Sequence, residues 1–170
     1  MKQKELLEVI NSADMSYLFP LFKRLLGYDP FIKFYSPNPD SEILCKRIGE
    51  EMNLEMDPDF VEFMKYTNGG LIDVIEIMSF KNVDDKMKDL LYVNLDKMVH
   101  SSLVKFDSAL VVGKFANDYY CYDKRSNMEK TKSKAYAWGL YDSKRKEYIY
   151  KFESFYELLE YHINLLNLSF

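Results

Sequence analysis

The strongest constraint on the fold is a helix with both of its ends marked in the sequence. Asp57-Pro58 predicts the start, because Asp57 can accept hydrogen bonds from free backbone N–H groups and Pro58 stands where no donor is needed. Asn68-Gly69-Gly70 predicts the end, since both residue types tolerate positive φ. The β-branched residues of 71–80 then predict one or two strands. The chain therefore changes from helix to strand at Gly70.

Two further helices are predicted on either side of this point. Residues 41–52 carry Leu44, Ile48 and Met52 on one face, with Asp40 or Ser41 available as the cap. Ser154-x-x-Glu157 is a capping box and opens a C-terminal helix with an apolar inner face. Residues 84–98 form a helix or a helical loop.

The remaining apolar segments are short and predict strands. They cover residues 109–113, 119–122, 135–141 and 148–152, and the polar residues 142–146 suit a hairpin connection. Because short hairpins join antiparallel strands, we expect the α+β class, with a mainly antiparallel sheet flanked by helices. A chain of 170 residues fits one domain, 1–170. Residues 1–36 read as an N-terminal helical extension.

Composition excludes several classes of protein. Apolar residues make up 48% of the chain and charged residues 29%, which excludes a disordered chain. No run approaches the ~18 apolar residues of a membrane span. Residues 1–8 are charged where the apolar core of an export signal would begin, so we expect a cytoplasmic protein.

Charge is distributed unevenly along the chain. Residues 40–62 hold eight acidic and two basic side chains, whereas residues 124–151 hold nine basic and three acidic ones. The net charge of -4 argues against direct nucleic-acid binding. The acidic stretch could meet a basic partner, the two stretches could face each other, or both could simply be solvated.

Residues 118–123 form the densest aromatic and acidic cluster. On a strand, Tyr119 and Cys121 face one side while Tyr120 and Tyr122 face the other. We expect one side to join the core and the other to form a wet aromatic surface. The candidate partner-binding residues are Glu50, Glu51, Glu55, Asp118, Tyr120 and Tyr122.

No pattern predicts a catalytic site, a cofactor site or a metal site. Cys45 and Cys121 are far apart and are expected to be free thiols. His162 lies on an apolar helix face and is expected to make a core contact, whereas His100 lies in an expected loop and could reach solvent. The Asn68-Gly69-Gly70 segment follows a helix, so it has the wrong polarity for a phosphate loop.

The order of these signals resembles the SUKH superfamily, which includes the fungal cell-wall-assembly regulator and many bacterial immunity proteins. The residues that carry the resemblance are 37–52, 56–70 with its Asn-Gly-Gly end, 111–123, and Trp138 with 152–159. The family usually has Pro where Asp57 stands and often Gly where Asn53 stands. The resemblance spans a family core of residues 37–166.

The resemblance implies a non-enzymatic protein-binding domain without shared catalytic residues. It implies structural roles for the motif residues Pro58, Asp59, Phe60, Asn68, Gly69, Gly70 and Trp138. The leading hypothesis is an immunity protein that neutralises a toxin domain, often a nuclease, encoded nearby. The alternatives are a regulatory or scaffold adaptor and, from another class, a small-molecule-binding or enzymatic domain around His100 and the tyrosines. We expect no cofactor, metal or membrane partner.

Overall fold

In the described part of the chain, seven antiparallel strands form one sheet, in which every strand pairs with the next one along the chain. The computed structural model describes residues 32–72, 74–82, 84–128 and 135–168, so the predictions for residues 1–31 lie outside it. The strands are β1 Ile32–Phe34, β2 Gly70–Ile72, β3 Ile75–Ile77, β4 Leu110–Phe115, β5 Asp118–Lys124, β6 Tyr136–Asp142 and β7 Glu147–Phe152. The helices are α1 Ser41–Met52, α2 Pro58–Tyr66, α3 Leu90–Leu95, α4 Lys97–Leu103 and α5 Phe155–Leu168. This architecture confirms the predicted α+β class.

Strand β1 was not predicted, because residues 31–35 show no alternation of apolar and polar side chains. Its pairing with β2 places Lys33 opposite Leu71. The backbone of Tyr35 extends the pairing: its N–H donates to the carbonyl of Gly69, and its carbonyl accepts from Asn68. The segment is therefore a strand because of a distant partner and not because of its own pattern.

The end of α1 and the start of α2 follow the sequence signals, whereas no side chain makes a capping hydrogen bond at the start of α1. Asn53 ends α1 in the left-handed conformation, with φ 51°, which is where Asn substitutes for Gly. Asp57 caps α2, because its Oδ1 accepts from the backbone N–H of Asp59 at 3.0 Å. Pro58 occupies the first turn, as predicted.

The expected helical segment at 84–98 is divided into two helices by aspartates. Asp89 Oδ1 accepts from the N–H groups of Leu91 and Tyr92 and caps α3. Asp96 Oδ1 accepts in the same way from Met98 and Val99 and caps α4. Each aspartate satisfies N–H groups that have no partner within their own helix, so each one begins a new helix.

The turn at Asn68-Gly69-Gly70 requires its glycines. Gly69 has φ +72°, and a Cβ there would lie 2.4 Å from the carbonyl oxygen of Met78. Gly70 has φ +151°, and a Cβ would lie 2.3 Å from the carbonyl oxygen of Lys33. The side chain of Asn68 pairs with both backbone groups of Phe80, at 2.9 and 2.7 Å. The motif thus fixes the path from α2 into the sheet.

Both faces of β5 are buried, which corrects the expectation of a wet aromatic surface. Tyr120 and Tyr122 share a face with Trp138, and Tyr120 is 0% exposed. Cys121 lies on the opposite face and is also buried. That second face is covered by Tyr148 from β7 and by Phe106, whose rings stack 5.5 Å apart. The alternation was predicted correctly, but the sequence did not show that a second aromatic layer covers it.

Candidate functional site

An open groove of about 880 Å³ lies beside α1. The connection from α1 to α2 and a side chain of α2 form its floor, and β6 contributes a side chain to its wall. The lining residues are Glu42, Ile43, Lys46, Gly49, Glu50, Asn53, Leu54, Glu55, Met56, Val61 and Tyr136. We call this surface the α1 groove.

The floor of the α1 groove is apolar. Leu54, Met56 and Val61 are buried or half-buried. Tyr136 is half-buried and stacks on Tyr122, with ring centroids 5.3 Å apart and an angle of 22° between the planes. Ile43 lies at the mouth with 69% of its surface exposed. An exposed Ile beside apolar walls is a feature of surfaces that bind other proteins.

Acidic side chains form the rim of the groove. Glu42 lies 3.5 Å from Lys65, and Glu50 lies 3.9 Å from Lys46, both as exposed ion pairs. Within the described part of the chain, Glu55 makes no ion pair within 4.0 Å. Because exposed pairs are weak and exchange easily, these carboxylates remain available to an incoming cation.

The carboxylates beside the groove also act on Tyr122 beneath it. Burial raises the pKa of the Tyr122 hydroxyl well above its ordinary value, and the negative charges of Asp57 and Glu55 raise it further. Glu55 and Tyr136 line the same groove, so a negative charge and an aromatic ring share this surface.

The structure brings together only two of the six predicted partner-binding residues. Glu50 and Glu55 line the groove. Glu51 lies on α1 outside the lining, and one of its carboxylate oxygens accepts from Arg47 at 2.8 Å. Asp118 is half-buried, and its Oδ1 accepts from the N–H of Ser143 at 3.2 Å, which holds the β6–β7 turn.

The two predicted tyrosines lie elsewhere. Tyr120 and Tyr122 are part of the core, because α2, α5 and the neighbouring strands cover their face of the sheet. Neither ring is presented at the surface, so we do not retain them as contact residues. Sequence reasoning missed Ile43, Met56, Val61 and Tyr136. Two signals were available. Ile43 is an apolar residue beside the inward stripe of α1, and Met56 and Val61 stand at the spacing of a hydrophobic staple across the start of α2.

Of the residues expected to be structural, Asp59, Phe60 and Trp138 form a joint between α2, β6 and α5. The Trp138 indole N–H donates to Asp57 Oδ2, so one carboxylate both caps α2 and holds β6. Phe60 is 0% exposed and contacts the rings of Trp138 and Phe155, at 5.6 and 5.2 Å between centroids. The backbone carbonyl of Asp59 accepts from the Tyr156 hydroxyl at 3.3 Å. This joint lies directly behind the α1 groove.

A second polar arrangement lies inside the protein, and we call it the Asp123 cluster. Asp123 is 0% exposed. Its carboxylate accepts from Ser108 Oγ, the Tyr148 hydroxyl and Asn127 Nδ2, at 2.5, 2.7 and 3.0 Å. The donors of the cluster come from three separate segments, which the carboxylate therefore holds together. Such a satisfied network specifies structure.

His100 does not lie in a loop, which corrects the sequence expectation. It belongs to α4, is 5% exposed, and its Nε2 lies 2.6 Å from the carbonyl oxygen of Ala109. His162 is buried, as predicted, among the rings of Phe115, Tyr120 and Phe152. A buried His100 bonded to the backbone gives no support to a site around it.

The cysteines are free and buried, as predicted. Burial raises the pKa of Cys45 to about 12, with a further contribution from the negative charge of Glu42. Burial also raises the pKa of Cys121. A thiol that stays protonated at neutral pH is a poor nucleophile, so both side chains act as small apolar groups.

The described ranges lack both a metal-ligating cluster and a membrane-spanning helix. Residues 32–72, 74–82, 84–128 and 135–168 contain no group of three or more His, Cys, Asp or Glu side chains placed to hold a metal ion. Within the same ranges, every helix is too short or too polar to cross a bilayer.

Comparison with known proteins agrees with the fold. No curated protein matches the chain. Residues 39–161 match the model of the SMI1 / KNR4 family (SUKH-1). The matched range begins just before α1, includes the turn at Gly69 and the strands β2–β7, and ends within α5. Since this range is well over half of the 170 residues, the chain belongs to the SMI1 / KNR4 family (SUKH-1).

Proposed function

We propose that this protein is a cytoplasmic, non-catalytic binding domain, an immunity protein that neutralises a toxin domain encoded next to its own gene. The observation that carries the proposal is the α1 groove, with its apolar floor and a rim that contains Glu42, Glu50 and Glu55. Membership of a family of protein-interaction domains supports the same conclusion.

Electrostatics favour a basic partner. Enzymes that cut nucleic acid carry positive charge around their active sites, because they bind phosphates. An acidic surface on the inhibitor would attract such an enzyme over a distance and raise the association rate. The apolar floor would then supply contacts that slow dissociation. The acidic rim would thus speed association, and the apolar floor would slow dissociation.

The test is binding to the toxin domain encoded by the neighbouring gene. The purified proteins would be mixed at several salt concentrations. The dissociation constant would be measured by calorimetry and the association rate by stopped-flow fluorescence, together with toxin activity. We expect tight binding, loss of toxin activity, and an association rate that falls as salt increases. Absence of binding to that domain would contradict the proposal. Binding to another protein of the same cell instead would favour the regulatory adaptor.

Charge-reversal variants locate the surface. Glu50→Lys combined with Glu55→Lys should reduce the association rate by about tenfold or more at low salt, because attraction becomes repulsion. The matched control is Asp107→Lys combined with Glu147→Lys, which reverses two exposed acids outside the groove lining. An equal loss in both pairs would show that only net charge matters and that the groove is not the interface.

A further inference from the structure

We infer that the α1 groove receives an arginine side chain, presented between two apolar residues on the partner's surface, with its guanidinium on Tyr136 and against Glu55. The inference rests on the proposed function and adds the chemistry of the contact. Three properties of the groove support it.

The first property is the orientation of an aromatic surface. The Tyr136 ring is stacked almost parallel on the Tyr122 ring, at 22° and 5.3 Å. Tyr122 is itself packed against Trp138, at 5.0 Å between ring centroids. One face of Tyr136 is therefore fixed against the core, while the half-buried ring still contributes to the groove wall. A held ring is a good surface for a planar cation, because little side-chain entropy is lost on binding.

The second property is a carboxylate without a cation. Lys65 lies beside Glu42 and Lys46 beside Glu50, but among the described residues Glu55 makes no ion pair. Glu55 is exposed and lines the same groove as Tyr136. A cation on the Tyr136 ring would thus find a carboxylate near it that no cation of the described chain occupies.

The third property is the apolar surface around that position. Met56 and Val61 are half-buried in the floor, and Ile43 is exposed at the mouth. The methylene groups of a long cationic side chain can lie on such a floor while its charged end reaches the rim. The two apolar residues that flank the arginine on the partner's surface would cover Ile43. A single charge without apolar neighbours would leave this surface exposed to water.

Arginine fits these properties better than lysine. Its guanidinium is planar, so it can stack on Tyr136 and donate two parallel hydrogen bonds to the Glu55 carboxylate at the same time. The lysine ammonium is compact and strongly hydrated, so it would have to lose more water to approach the ring. We therefore expect the groove to distinguish the two cations.

A short peptide tests the inference without the toxin. The probe is acetyl-Leu-Arg-Leu-amide, titrated into the isotopically labelled full-length protein and followed by NMR. We expect saturable shifts of the methyl signals of Ile43, Met56 and Val61, and binding at least about threefold weaker for the Lys analogue. The citrulline analogue keeps the shape of the side chain but has no charge, so it should bind weakest. Equal binding of the three peptides, or shifts confined to other residues, would overturn the inference.

Two variants assign the contact. Tyr136→Leu keeps an apolar wall but removes the ring, and Glu55→Gln keeps the shape but removes the charge. Each should weaken the arginine peptide by about threefold to tenfold and bring the Arg and Lys peptides closer in affinity. Glu147→Gln is the matched control and should change nothing. If neither groove variant differs from this control, the inference is wrong.

The same variants in the toxin complex separate the two proposals. Loss of toxin affinity in Tyr136→Leu and Glu55→Gln, but not in Glu147→Gln, supports both. If the toxin binds but these variants do not weaken it, the inference fails while the proposed function stands. If the toxin does not bind but the peptide preference is present, the proposed function fails while the inference stands.

A dimer of the free protein that Ile43→Lys dissolves would show that a second copy fills the groove, which would also overturn the inference.

Discussion

Two groups of carboxylates in this protein have opposite surroundings. In the Asp123 cluster, one fully buried carboxylate accepts hydrogen bonds from Ser108, Asn127 and Tyr148. On the rim of the α1 groove, exposed carboxylates face solvent and form loose ion pairs, such as the 3.9 Å pair of Glu50 and Lys46. The carboxylate of Asp123 is saturated with hydrogen-bond donors, whereas the carboxylates of the rim are not.

The difference shows where acidic residues are free to recognise a partner. A buried carboxylate is tolerated only when its oxygens are satisfied, so its neighbours fix it in place. An exposed carboxylate loses little when a water molecule or a lysine is exchanged for another donor. Asp57 lies between these cases, because it is half-buried and is used by both α2 and Trp138.

The largest effect is expected inside the Asp123 cluster. Asp123→Ala would leave the hydroxyls of Ser108 and Tyr148 and the amide of Asn127 without their acceptor in a buried place. We expect the free energy of unfolding to fall by about 3 kcal/mol or more, measured by urea denaturation followed by far-ultraviolet circular dichroism. Asp107→Ala, at an exposed position, is the control and should stay within about 0.5 kcal/mol. A loss below 1 kcal/mol at Asp123 would remove the contrast between the two groups.

A smaller effect is expected at the joint between α2 and β6. Trp138→Phe removes the indole N–H that donates to Asp57 and part of an aromatic contact. We expect a cost of about 1–3 kcal/mol in the free energy of unfolding. Asp57→Ala removes the helix cap as well. In a double-mutant cycle with Trp138→Phe, the two losses should add to more than the double variant loses, because they share one hydrogen bond. Strict additivity would show that this bond contributes nothing.

The third effect depends on pH and concerns His162 in the core. Burial lowers the pKa of His162 below 6.5, and the hydrogen bond to the carbonyl of Leu158 opposes this only in part. Between pH 6.5 and the lower folded pKa, the unfolded chain binds a proton that the native protein does not. The contribution to stability is therefore complete above pH 6.5 and decreases as the pH falls through this window.

The measurement is the free energy of unfolding from pH 7.5 to 5.5. The decrease that His162 causes should not exceed about 1.4 kcal/mol per pH unit, the limit for one proton. His162→Phe keeps an aromatic side chain and should make the profile flatter. If the profile of His162→Phe equals that of the original protein, another group is responsible for the pH dependence.

The smallest effect on stability is expected at the rim. Glu50→Gln combined with Glu55→Gln should change the free energy of unfolding by no more than about 0.5 kcal/mol, since the Lys46–Glu50 pair is exposed. The same variant should weaken partner binding. A large loss of stability would show that the rim is structural, and the comparison with the Asp123 cluster would no longer hold.

Local signals in the sequence predicted much of the fold. Asp57-Pro58, Asn68-Gly69-Gly70 and the capping box at Ser154 lie at the ends of helices or turns in the structure. These features depend on backbone geometry within a few residues, and the order of those residues in the sequence reveals it. The same holds for the alternation of side chains along β5.

Features that depend on distant partners were not predictable in this way. Strand β1 exists because β2 lies beside it, and Tyr120 is buried because α2 and α5 cover its face of the sheet. The apolar surface of the α1 groove joins Met56 and Val61, which stand at the spacing of a hydrophobic staple across the start of α2, to Tyr136 from β6. No spacing rule connects Tyr136 to the other two residues. Glu50 and Glu55 were found because charge density is a local property. Tyr136 was missed because only the fold brings it close to them.

The joint at Trp138 also has a spectroscopic consequence. Trp138 is the only tryptophan of the chain, is 0% exposed, and donates its indole N–H to Asp57. Its fluorescence therefore reports on one place, where α2 meets β6 behind the α1 groove. A partner that moved α2 would change this emission directly, whereas one that bound elsewhere would leave it unchanged. Trp138 packs on Tyr122, which stacks on Tyr136 of the groove, so its fluorescence is a built-in probe for binding there.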